Sequence, residues 1–174
     1  GHFAQAREWA EAAAWWQRAG EQAMAAEFAA DAQHGFAEAL ACLQRQGSGG
    51  NPLIALRMCL GRAAQLAEGF GSALAYQQFS EALRALEAAP ADTPEYRHQL
   101  FAALSGRYMG GGGRSQGVFE GLDIAWRLEA LAETPQEALM ADFALGNSLF
   151  WRGQLRAARD WQERGVVRAR GIAP

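Results

Sequence analysis

Apolar side chains recur along this chain at steps of three and four, the spacing that lines one face of an α-helix. The every-second-residue alternation of a half-buried strand appears nowhere. Punctuation between the periodic stretches predicts where each helix begins and ends. Residues 3–7 read as the tail of a helix whose beginning is absent, and 8–20 (EWAEAAAWWQRAG) carry Trp9, Ala12, Trp16 and Ala19 on one face. Gly20 predicts a bend or an end, 21–28 a short helix, and 29–46 a longer one. After the loop 47–51, Asn51 and Pro52 form a cap and first turn for a helix to about 68. Ser72 caps the next, to about 89, and Thr93-Pro94-Glu95 starts another that ends near 109. Four glycines, 110–113, precede a helix over about 116–133; Thr134-Pro135 opens the next, and Gly171 stops the last, which starts at Gln154.

A small-large-small triplet recurs on these helices at Ala32/Phe36/Ala39, at Ala75/Phe79/Ala82 and, more loosely, at Val118/Leu122/Ala125. The stretch 145–165, LGNSLFWRGQLRAARDWQERG, adds Leu145-Gly146, Leu149, Gly153, Leu155, Ala158 and Gly165 in one register, and Leu60-Gly61 repeats the Leu-Gly pair. This register resembles the tetratricopeptide repeat, with Asp142 where its consensus has Trp, Gln162 in place of a large residue, and no closing Pro. The resemblance implies an all-α, tetratricopeptide-like (TPR-like) α-α superhelix, a solenoid of antiparallel helix pairs forming one repeat domain over 1–174. It also puts Trp9, Ala12, Trp16 and Ala19 on a second helix, so that the first pair lacks half of itself and the chain is a piece of a longer array. The triplets stand roughly forty residues apart, longer than the roughly 34 of the standard repeat, which predicts extended helices and a less regular superhelix.

Composition narrows the partners. At 174 residues and 50% hydrophobic content the chain can bury a sizeable core. Its 16 basic residues, all Arg, are interspersed with 19 acidic ones for a net charge of −3, which speaks against a nucleic-acid stripe. Neither a membrane-length apolar run nor a leader opens the sequence, so a cytoplasmic location is expected. Cys42 and Cys59 lie inside helical patterns as two buried thiols, and the first two residues have the look of an expression scar.

Catalytic patterns are missing. The glycine run before Arg114-Ser115 lacks the Lys and the strand that a phosphate loop needs. His34 and His98 have no ligand partners at metal spacing, and no serine sits in an elbow motif. Carboxylate pairs such as Glu8/Glu11 and Asp160/Glu163 fall on solvated faces. A non-enzymatic protein without cofactor or metal is therefore expected. Of Trp15 and Trp16, one must point away from the face the other occupies.

In tetratricopeptide arrays the first helices line the concave side. Register from Gly61, Gly106 and Gly146 then implies a partner face of Met58, Arg62, Gln65, Ala103, Arg107, Phe143, Asn147, Phe150 and Trp151. The version of the fold that clamps carboxylates uses Lys and Asn there; Asn147 matches, but the chain has no Lys. The phrase AEAAAWWQRAGEQAMAAEFAADAQHGFAEALACL is similar to the first repeats after the nucleotide-binding domain of large bacterial signalling ATPases, both LuxR/MalT-type transcriptional regulators and cyclase-linked predicted ATPases. Residues 15–20, Gln22 and Ala23 carry that likeness, which fades after about Gln46; Gln33-His34 depart from it. It implies a sensor or assembly region that binds a protein, a peptide or a small-molecule effector and acts on an upstream nucleotide-binding domain, with no direct nucleic-acid or membrane contact and with self-association into a homodimer. The alternative is a stand-alone scaffold that bridges proteins through peptides in its concave groove.

Overall fold

The computed structural model describes residues 2–47, 50–111 and 118–172. Among them are eight helices and no strand: α1 (His2–Ala25), α2 (Ala29–Gln46), α3 (Asn51–Glu68), α4 (Ala73–Ala88), α5 (Pro94–Gly111), α6 (Val118–Leu131), α7 (Pro135–Trp151) and α8 (Leu155–Gly171). They form two compact units, 1–90 and 91–174. In each, helices adjacent in sequence pack against one another.

In the first unit α1 and α2 make an antiparallel hairpin. Arg45 lies over the Trp9 ring at one end, while Gly20 meets Phe36 near the turn. Gly20 does not end a helix: α1 runs through it to Ala25, and no separate helix over 21–28 exists. The physical reason is a crossing point. A Cβ on Gly20 would stand 2.9 Å from the Phe36 ring, and one on Gly35 would stand 2.9 Å from the Gly20 amide nitrogen. Glycine is here because backbones touch. With Gly20 opposite Phe36, α1 pairs with α2, so Trp9, Ala12, Trp16 and Ala19 lie on the first helix of that pair and not on a second one. Trp16 joins the core of Ala32, Phe36, Ala39, Leu40, Leu56, Leu60 and Ala63, whereas Trp15 points outward. Burying a side chain such as Phe36 contributes about 1.5–3 kcal/mol.

The α3–α4 hairpin repeats the device, with the Gly61 Cβ position 2.9 Å from the Phe79 ring. Arg57 of α3 bonds Gln78 at 3.0 Å and pairs with Glu81 across the crossing. The cap of α3 is Gly50 and not Asn51, which is already helical and makes no side-chain cap. Glycine suits the place because φ is +79° there. Ser72 caps α4, accepting from the Ala75 amide at 3.1 Å, and donates to Glu68 at 2.6 Å. That bond and one from Gln33 hold the Glu68 carboxyl below its usual range. The eighteen residues of α3 and sixteen of α4 already fill a 34-residue period before any connection is counted, so the long spacing resides in the helices.

The second unit holds α5–α6 and α7–α8. Thr93 caps α5 through the Tyr96 amide, and α5 extends past Met109 to Gly111. The other two glycines of the four, together with Arg114 and Ser115, lie outside the described residues, as does the expected start of α6 near Gln116; α6 ends at Leu131, short of Glu133. Arg97 donates to the Leu131 carbonyl, clasping the open end of the α5–α6 pair. Thr134 and Glu137 form a reciprocal capping box at the start of α7. Burial raises the Glu137 carboxyl, but bonds from the Glu133 and Thr134 amides and the charge of Arg97 outweigh it and leave the group below its ordinary value. Gly153, at φ +74°, makes the turn into α8, whose cap position is Gln154.

The α7–α8 crossing departs from the other two. Gly146 faces Gln162, whose Cγ lies 2.7 Å from the glycine's Cβ position. One turn earlier, where the register has Trp, stands Asp142 with 0% exposure. Two arginines of α8 neutralise it: Arg164 Nε donates to Oδ1 at 2.9 Å and Arg168 Nε to Oδ2 at 2.6 Å. Gly165 sits between them against Asp142 Cβ.

Candidate functional site

Phe143, Asn147, Phe150 and Trp151 are spaced i, i+4, i+7 and i+8 on α7, so they share one stripe of that helix. Phe143, Phe150 and Trp151 stay 49%, 50% and 55% exposed, although the rest of α7 supplies core residues Ala141, Ala144, Leu145 and Leu149. Large aromatics left in water beside a core are the composition of an interface centre. Phe150 and Trp151 rest edge to face at 5.7 Å, and Phe143 stands edge to face with Tyr108 of α5 at 6.4 Å.

Tyr108 anchors the stripe from below. Its buried hydroxyl donates to the Ala144 carbonyl at 2.9 Å, accepts from Asn147 Nδ2 at 3.3 Å and lies 3.1 Å from Ser148 Oγ. This ties α5 to α7, first helix to first helix, and limits the freedom of the Asn147 amide. Nothing local in the sequence marks Tyr108; its role comes from residues 36 to 40 positions downstream.

The other predicted residues are placed as follows. Met58, Arg62 and Gln65 belong to the first unit, and half-buried Met58 packs against that unit's core residues Ala64, Ala75 and Phe79. Arg62 is exposed and Gln65 half-buried. Arg107 pairs with Glu120 and braces the α5–α6 hairpin, while Ala103 is fully buried core. Within the second unit, the α7 residues of the expected face share one stripe, and its three aromatics are exposed.

Chemistry elsewhere is sparse. Cys42 is buried and Cys59 half-buried, both free thiols; burial and the charge of Glu21 push the Cys59 thiol up, against a smaller opposing effect of Arg62. His34 stacks edge-on against Trp16, and His98 lies 3.8 Å from Glu137. Among the described residues no group of three or more His, Cys, Asp or Glu is placed to hold a metal, and no helix is long and apolar enough to cross a membrane.

Fold and site together define an all-α helical-repeat protein built of antiparallel hairpins with an aromatic stripe on one first helix. Comparison with family models and with curated proteins finds no match to this chain.

Proposed function

We propose that the chain is a non-catalytic binding module that takes a protein or peptide on the α7 stripe, and that it serves as the sensor or assembly region of a bacterial signalling ATPase or transcriptional regulator. The single observation that supports binding is the set of exposed aromatics, Phe143, Phe150 and Trp151, flanking the Tyr108-held amide of Asn147. Aromatic anchors carry apolar affinity, and a positioned amide can bond an extended peptide backbone. The ATPase connection rests on the likeness of residues 15–23 to the repeats of those proteins. In that setting a ligand acts by preferring one packing of the helices, and so shifts the switch by its differential affinity.

A peptide library selected on the chain tests the binding reading. Selected peptides should lose about tenfold or more in affinity on Trp151→Ala or Phe150→Ala, with the unfolding midpoint unchanged. Peptides indifferent to both substitutions would remove the stripe as the site. The signalling role is tested by the reading frame within about 400 residues upstream, a span of two or three domains. A strand followed by Gly-Lys-Ser/Thr supports the sensor; further helix pairs alone favour the scaffold.

A further inference from the structure

A second site lies in the other unit-two crossing. A cleft of about 310 Å³ is lined by Glu129, Thr134, Pro135, Ala138, Arg164 and Arg168, with Ala132, Glu133 and Ala141 completing it. It borders the buried Asp142 cluster. From the unspent donors of that cluster we infer that this cleft binds a single carboxylate, presented by an acidic side chain or the C-terminus of a peptide. The inference is independent of the α7 stripe, which it does not use.

Each arginine reaches Asp142 through Nε. Among the described residues their terminal amino groups make no hydrogen bond; Arg164 Nη2 stands 4.0 Å from Glu129 Oε1, a loose ion pair. A guanidinium held by Nε has its plane set in advance, which is the costly part of gripping a carboxylate with two parallel bonds. Arg164 is steadied further by the Trp161 ring, 4.0 Å from its central carbon, and Trp161 in turn by Trp126.

Stability does not account for this cluster. A buried ionic group is commonly matched by an apolar residue of similar size, so stability alone does not call for an aspartate at 142. What the carboxylate provides is orientation of two forks beside a cleft. The charges also limit the ligand: Asp142 takes up one of the two guanidinium charges and Glu129, 4.0 Å from Arg164, faces the other, while Glu133 is engaged by Arg97, so a bound carboxylate must take the place of Glu129. A monoanion is accommodated, whereas a phosphate dianion meets Glu129 with excess charge.

The test is NMR of the arginine Nε–H groups in the intact chain, titrated with N-acetylglutamic acid α-amide, a probe with one carboxylate, and separately with inorganic phosphate. Expected are saturable shifts of Arg164 and Arg168 at a Kd of about 1–10 mM for the carboxylate and weaker binding of phosphate. Arg168→Gln should weaken the carboxylate at least about tenfold. Because that change unsettles Asp142, Glu129→Gln is the companion: it leaves the cluster intact and should tighten binding about two- to fivefold by removing one like charge. Absence of saturable shifts, phosphate binding as tightly as the carboxylate, or an unchanged Kd in Glu129→Gln would each overturn the assignment and leave the arginines as partners of Asp142 alone. Peptide binding that depends on Trp151 would stand in any of those cases.

Discussion

Replacing Gly35 by Ala should destabilise the first unit, while the same change at Gly165 should stabilise the second. In a helix interior alanine is favoured over glycine by about 1 kcal/mol, so propensity alone predicts a gain at both. At Gly35 the new Cβ would stand 2.9 Å from the Gly20 nitrogen, 3.0 Å from its Cα and 3.1 Å from the Trp16 carbonyl oxygen. All three are backbone atoms and cannot rotate aside, so α1 and α2 must separate by several tenths of an ångström. Gaps of 0.5–1 Å forfeit roughly a quarter to a half of each dispersion contact along the crossing, and overpacking costs about 1–3 kcal/mol. The upper end applies at a backbone-lined site; less the propensity gain, Gly35→Ala should lose about 2 kcal/mol. At Gly165 the nearest atoms, Asp142 Cβ at 3.4 Å and Leu139 Cδ1 at 3.6 Å, lie at ordinary contact distance. The propensity gain, about 0.5–1 kcal/mol, should survive there. Urea unfolding followed by far-UV circular dichroism reads both as midpoint shifts of opposite sign at constant slope. A shift of the same sign for both, or none for Gly35→Ala, would refute the close-crossing explanation of Gly20 and Gly35.

Four further outcomes are expected. Thr134→Ala should cost about 1 kcal/mol through loss of the capping box, measured by chemical unfolding. Because the folded Glu137 and Glu68 carboxyls titrate below their ordinary value of 4.5, their contribution is complete above that pH and fades as pH falls through the folded values; Glu137→Gln should flatten the acid limb of the stability curve. The Cys59 thiol should react with iodoacetamide more slowly than a free thiol at pH 8, faster in Glu21→Gln and slower in Arg62→Gln, as mass spectrometry of the labelled peptide would show. At the α7–α8 crossing, Arg164→Gln with Arg168→Gln leaves Asp142 buried and uncompensated and should cost about 3–5 kcal/mol, whereas Asp142→Leu, which frees two half-exposed arginines to water, should cost far less; equal losses in urea midpoints would mean that the charges matter less than packing.

Most helices and most caps were legible residue by residue, because a cap is a bond spanning three positions: Ser72 to Ala75, Thr93 to Tyr96, Thr134 to Glu137. So was the outward turn of one of the Trp15-Trp16 pair, since neighbours on a helix diverge by about 100°. The α7 stripe was legible as spacing. What packing settled were matters between residues distant in the chain. A glycine within a helical pattern looks like a break, and the nearness of Phe36 to Gly20 shows it to be a contact. An aspartate in a core register looks like a flaw until Arg164 and Arg168 arrive from 22 and 26 positions away. Backbone bonding and side-chain pitch act over one turn and are written locally; which backbones can touch, and which buried charge is neutralised, depend on pairing of helices, and that pairing is a property of the folded chain.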